Sequence, residues 1–137
     1  MLKLAWAGLQ PTMICKIAKI IARRKKLTHL DLSFNTILTV NEDSSPRSYK
    51  FATQFVSSLR KIIVSTQIFH LNLSGMNLGK LARNLVEPIR LSSQLNSIHL
   101  SQNNLPEETV LYIDRALTVS QIDPPERKVT RFRETNT

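Results

Sequence analysis

Glycine is scarce in this chain of 137 residues, with three in all, and that excludes a glycine-rich loop of the kind that cradles nucleotide phosphates. Cysteine is scarcer still. A lone Cys15 rules out an internal disulfide, and residues 1–9 are too short and too interrupted for a secretory apolar region. Both features favour a reducing, intracellular setting. No apolar run approaches the ~18 residues that mark a membrane span. Aromatic residues make up 6% of the chain, which leaves little for nucleic-acid bases to stack on. Acids are outnumbered: 10 Asp and Glu face 19 Lys and Arg, for a formal charge of +9. Such a balance suits an acidic partner surface.

What the chain does have is a pattern. Leu27-x-x-Leu30-x-Leu32-x-x-Asn35-x-Ile37 recurs position for position as Leu95-x-x-Ile98-x-Leu100-x-x-Asn103-x-Leu105. A third copy, Ile68-x-x-Leu71-x-Leu73-x-x-Met76-x-Leu78, keeps every apolar position and puts Met76 where asparagine is expected. Leu2, Leu4, Ala7 and Leu9 fit positions four, six, nine and eleven of a truncated first copy. Apolar residues at positions four and six share one face of a short strand, because side chains alternate with period two. The asparagine at nine suits the following turn, where its amide can bond backbone groups that the bend leaves unpaired.

Between the copies lie apolar stripes with the spacing of half-buried helices. The first is Met13, Ile14, Ile17, Ile20 and Ile21; the second is Phe51, Ala52, Phe55, Val56, Leu59, Ile62 and Ile63. Leu81, Ala82, Leu85, Val86 and Ile89 form the third, and Val110, Leu111, Ile113, Ala116 and Leu117 the last. Copies three and four are 27 residues apart; copies two and three are 41 apart, which implies an insertion of about 13 residues, placed as a surface loop over 38–50. Pro106-Glu107-Glu108 reads as a helix start.

Three copies in phase with helices between them resemble the leucine-rich repeat, and the long helical returns resemble its ribonuclease-inhibitor-like class. The resemblance implies an α/β solenoid, a horseshoe segment with short parallel strands on the concave side and helices on the convex side. It covers about four repeats over residues 1–120. Pro124-Pro125 then interrupts the pattern, and 121–137 reads as a basic tail. No polar cap precedes Leu2. The expectation is the C-terminal part of a longer solenoid, or a subunit whose open edge a partner covers.

The expected binding surface is the concave face and its rim. His29 and His70 at position three, and Asp31, Asn72 and His99 at position five, point away from the core. Trp6 and Phe34 share position eight, either as interface anchors or as packing in the turn. Three histidines without carboxylate or thiolate partners at ligand spacing do not make a metal site, and the expected cofactor list is empty. Ser33, Ser74 and Ser101 recur as turn residues, so no catalytic set is expected and the chain reads as a non-enzyme. Lys16, Lys19, Arg23, Arg24, Lys25 and Lys26 form one basic cluster, partly explained by the dipole of the first helix. Arg127, Lys128, Arg131 and Arg133 form another.

The leading functional expectation is a protein–protein interaction module or structural subunit of a larger intracellular assembly in the cytoplasm, with cytoskeletal and axonemal complexes as candidates. Its partners are proteins that cover the uncapped first repeat or offer an acidic surface; nucleic acid is disfavoured and no membrane span is expected. Alternatives are the regulatory repeat domain of a GTPase-activating or innate-receptor-type protein, and a basic RNA-associated subunit recognised by salt-sensitive binding.

Overall fold

Each copy of the eleven-residue pattern sets down one short strand, and the four strands lie parallel in chain order. They are β1 (Leu2–Lys3), β2 (His29–Asp31), β3 (His70–Asn72) and β4 (Ser97–His99). This computed structural model describes residues 1–37, 46–65 and 67–119. The helices are α1 (Pro11–Ile21), α2 (Pro46–Ser65), α3 (Val86–Leu91), which follows a 3₁₀ segment (Gly79–Leu85), and α4 (Glu107–Val119). The result is a small α/β arrangement. No helix among the described residues is long and apolar enough to cross a membrane.

Register follows the pattern. Position four forms one column, Leu2, Leu30, Leu71 and Ile98, and the last three are at most 1% exposed. Position six adds Leu32, Leu73 and Leu100, all fully buried. Phe55, Leu59, Ile62 and Ile63 of α2 complete the same core. Each such side chain contributes about 1.5–3 kcal/mol by leaving water.

The asparagines tie neighbouring copies together. Asn103 is fully buried, and its Nδ2 donates to the carbonyls of Leu73 (2.8 Å), Leu100 (3.0 Å) and Ser101 (3.3 Å). Its Oδ1 accepts from the N–H groups of Met76 (3.0 Å) and Leu78 (3.1 Å), one copy back. Asn35 does the same for the first copy, donating to Leu4 O (2.7 Å) and accepting from Leu9 N–H (3.1 Å). Met76 has no amide to offer the second copy; instead its own carbonyl accepts from Ile37 N–H at 3.3 Å. Among the described residues no buried side-chain polar atom lacks a partner, as expected where an orphaned group would be costly.

Several sequence expectations need correction. On α1 the buried residues are Ile14, Cys15, Ala18 and Ile21, while Met13 and Ile20 are 49% and 57% exposed. Small Cys15 and Ala18 allow close approach to α2, so the helix is rolled from the face that its largest side chains suggested. The Cys15 Sγ–H donates to Phe51 O at 3.2 Å, and burial pushes its pKa up, with Lys19 acting weakly against it. Leu111 of the last stripe is likewise turned out to solvent. The third stripe is not one α-helix. Pro88 lies in the first turn of α3, where no helical N–H is needed; in a continuous helix it would delete the bond to Asn84 O. The surface loop expected over 38–50 does not extend past residue 45, because α2 already begins at Pro46, with proline favoured at a first helical position. Residues 38–45, and the basic tail with Arg127, Lys128, Arg131 and Arg133, lie outside the described residues.

Candidate functional site

One face of the sheet carries no helix residues of the core and bears the polar columns. His29, His70 and Ser97 are paired across the three strands, as are Asp31, Asn72 and His99 one step on. The His29 and His70 rings are 5.8 Å apart, and those of His70 and His99 4.8 Å. His70 Nδ1 is hydrogen-bonded to Ser97 Oγ, and His29 Nδ1 shares 2.9 Å with Thr28 Oγ1. A shallow cavity of about 450 Å³ lies where Lys3, Asp31, His29 and His70 meet. Among the described residues no group of three or more His, Cys, Asp or Glu is placed to hold a metal ion.

Position five also serves the turn. Asp31 Oδ1 accepts from Ser33 N–H (2.9 Å) and Ser33 Oγ–H (2.6 Å), and Asn72 Oδ1 accepts from Ser74 N–H (3.1 Å). Ser33 and Ser74 are consequently buried, in keeping with turn residues. Asp31 is thus committed to its own turn on one oxygen, leaving the other for the open face.

Burial first, then the neighbouring charges of His99 and His29, hold the His70 pKa below its ordinary 6.5, while Asp31 acts against them. A base whose pKa is depressed in the fold stays neutral in the native state at a pH where the unfolded chain already takes up its proton. The stability this confers is fully present above pH 6.5 and is lost as pH falls through the native value. A ¹H NMR titration should show the His70 Hε1 resonance moving below pH 6.5, and His70→Asn should flatten the fall in unfolding free energy over that window. An unchanged slope in the variant would show that the histidine cluster does not set the acid sensitivity.

The rim beyond the strands carries the second feature. Trp6 and Phe34 stack with ring centroids 4.2 Å apart and planes 11° from parallel. Phe34 lies in turn over Gly75, where an added Cβ would come within 2.4 Å of the ring. Phe34 is packed in the turn, while Trp6 stays 74% exposed with its outer face open. Trp6, Phe34, Gly75 and Gln102 all have positive φ, between 55° and 64°. That is unusual for bulky side chains and marks a stored conformational cost. The glycine at position eight of the third copy was the sequence signal for it.

Phe69, 46% exposed and 6.1 Å from the His29 ring, was missed by the sequence reading. Its position two precedes the strand, where an aromatic residue stands out among polar ones. On the helical side Lys16, Lys19, Arg23, Arg24, Lys25 and Lys26 are all exposed. No protein-family model matches the chain, and no curated protein matches it in sequence.

Proposed function

We propose that the chain is a leucine-rich repeat segment that works as a non-enzymatic protein-interaction module or structural subunit of a larger assembly. The observation that carries this reading is the open sheet face. Three strands in register align two polar columns of His29, His70 and Ser97 and of Asp31, Asn72 and His99, bounded by exposed aromatic residues on both rims. Surfaces with imidazole, carboxylate and aromatic groups bind through shape and a few anchors. The exposed lysines and arginines of the first helix and its following turn give the same molecule a basic side, which speeds encounter with an acidic partner.

Affinity capture from native extract, run at low and moderate salt, tests it. A protein retained in fixed stoichiometry at both salts, and lost on combined His29→Ala, His70→Ala and His99→Ala, is the expected result. Retention of nucleic acid alone, vanishing as salt rises, would instead assign function to the basic clusters.

A further inference from the structure

Two grooves on the helical side differ in what their cations meet. One lies between α2 and the 3₁₀ segment that leads into α3, has a volume of about 610 Å³ and carries Arg60 and Arg83. Both are engaged: Arg60 pairs with Glu87 at 2.9 Å, and the Arg83 guanidinium lies 5.3 Å over the Tyr112 ring. The other lies one copy back, between α1 and α2, with a volume of about 470 Å³. Lys19 and Arg23 line it from α1 and the turn that follows, and Lys61 lines it from α2. No carboxylate among the described residues pairs with any of these three. Neither helix contains an Asp or Glu. Lys19 and Arg23 are four residues apart and so share a side of α1. Gln54, Ser57 and Lys61 follow the i, i+3, i+7 spacing that makes one face of α2. Small Ala22 and Ser58 leave room between them, and the Ser58 hydroxyl already donates to Gln54 O at 2.9 Å. The dipole of α1 accounts for basic groups near its own end. It does not account for Lys61, which precedes the last turn of α2 and lines the same groove.

We propose that the groove between α1 and α2 binds a phosphorylated serine or threonine in an extended segment of a protein partner. The proposal rests on the interaction-module reading for the kind of partner, and adds a second site with its own chemistry. Three cations exceed what one carboxylate balances, whereas a phosphate monoester brings a charge of about −1.5 to −2 and three acceptor oxygens. The planar Arg23 fork suits two of those oxygens, and the lysines act as point charges on the third. Gln54 and Ser57 offer an amide and a hydroxyl to the flanking peptide backbone. About 10 Å of helix rise separates Gln54 from Lys61. That is the length of about three extended residues, so the groove fits a segment better than a lone ion. A nucleic acid fits poorly, since no aromatic ring lines the groove for a base to stack on. A lipid surface fits poorly as well, because none of the large exposed apolar side chains lines it.

The probe is a fluorescein-labelled alanine peptide with one central phosphoserine, followed by fluorescence anisotropy at about 0.15 M salt, where loose surface attraction is screened. Its controls are the same peptide with serine or with glutamate at the centre, a single-stranded RNA, and vesicles containing phosphatidylinositol phosphate. The expected result is saturable binding of the phosphopeptide, at least about ten-fold tighter than either peptide control. Lys61→Gln and Arg23→Gln, both at exposed positions, should each weaken it by about ten-fold. Arg24→Gln removes an equal charge outside the groove, and Arg60→Gln one from the neighbouring groove; each should change affinity by less than about two-fold. Equal binding of the serine peptide, or an equal loss with Arg24→Gln, would overturn the site and leave only a diffuse basic surface. Binding of vesicles or RNA without the phosphopeptide would overturn it in favour of lipid or nucleic acid. A stoichiometric partner captured from extract that is lost with the sheet-face histidines, yet survives phosphatase treatment and Lys61→Gln, would overturn the groove and leave the interaction-module reading standing. Phosphopeptide binding as expected, with no stoichiometric partner in extract, would uphold the groove and overturn that reading.

Discussion

Asn103→Ala should lower the unfolding free energy by about 3–5 kcal/mol, among the largest losses any single polar side chain here can cause. The amide makes five hydrogen bonds from a site with no solvent exposure. Truncation leaves Met76 N–H, Leu78 N–H and Leu73 O without their partner, and each orphaned buried group costs about 1–3 kcal/mol. Water entering the small cavity recovers part of that, which sets the upper limit. Asn35→Ala removes the same type of amide, but from the copy beside the open edge. Leu4 and Leu9, its partners there, are half-buried, so water can replace the lost bonds. Its expected loss is about 1–2 kcal/mol. Urea unfolding of both variants at unchanged m-value checks the ordering. Equal losses, or less than about 1 kcal/mol for Asn103→Ala, would mean that the asparagines do not tie the copies together.

The difference between those two asparagines shows what could be read from residues alone. The pattern gave the strand positions, their register and the turn role of position nine, because each rests on a local rule: period-two alternation and an amide beside a bend. His29 opposite His70, and Trp6 beside Phe34, follow from counting along that pattern once the insertion loops out. Which copy an asparagine serves is not local. It bonds backward to the preceding copy, and only the stacking of the copies shows that direction. Helix faces were less legible where packing overrode size. Met13 and Ile20 are larger apolar residues than Cys15 and Ala18, yet closeness to α2 selects the small pair. Pro88 was visible in the sequence as a helix breaker, and weighing it would have divided the third stripe correctly. Lys19 and Arg23 were visible as part of a basic cluster, whereas Lys61 joins them only through the packing of α1 on α2. The histidine cluster was visible as residues, while its arrangement against Ser97 and Asp31 needed the sheet register.

Gly75→Ala should destabilise the protein by about 2–3 kcal/mol and change the emission of a tryptophan two strands away. Two separable effects act at this residue. Its φ of +64° is one that a side chain adopts at a cost of about 1 kcal/mol. The added methyl would also stand 2.4 Å and 2.7 Å from Phe34 Cδ1 and Cε1, so the ring has to leave its seat. Phe34 cannot move without breaking its stack on Trp6, and an aromatic pair of that kind contributes about 0.5–1.5 kcal/mol beyond the area it buries. Gly8 isolates the first effect. It has a φ of +62° but nothing within 4 Å of the position its Cβ would take. Gly8→Ala should therefore cost only about 1 kcal/mol and leave the Trp6 spectrum as it was. The decisive measurement is a double-mutant cycle with Phe34→Ala, in which the ring that the methyl displaces is already gone. In that background the penalty of Gly75→Ala should fall to the Gly8→Ala value. If it stays at its full size, the strain lies in the backbone of position eight and the aromatic stack is a passenger. If it falls, Gly75 is the seat that holds Phe34 flat and so presents the open face of Trp6 at the sheet edge.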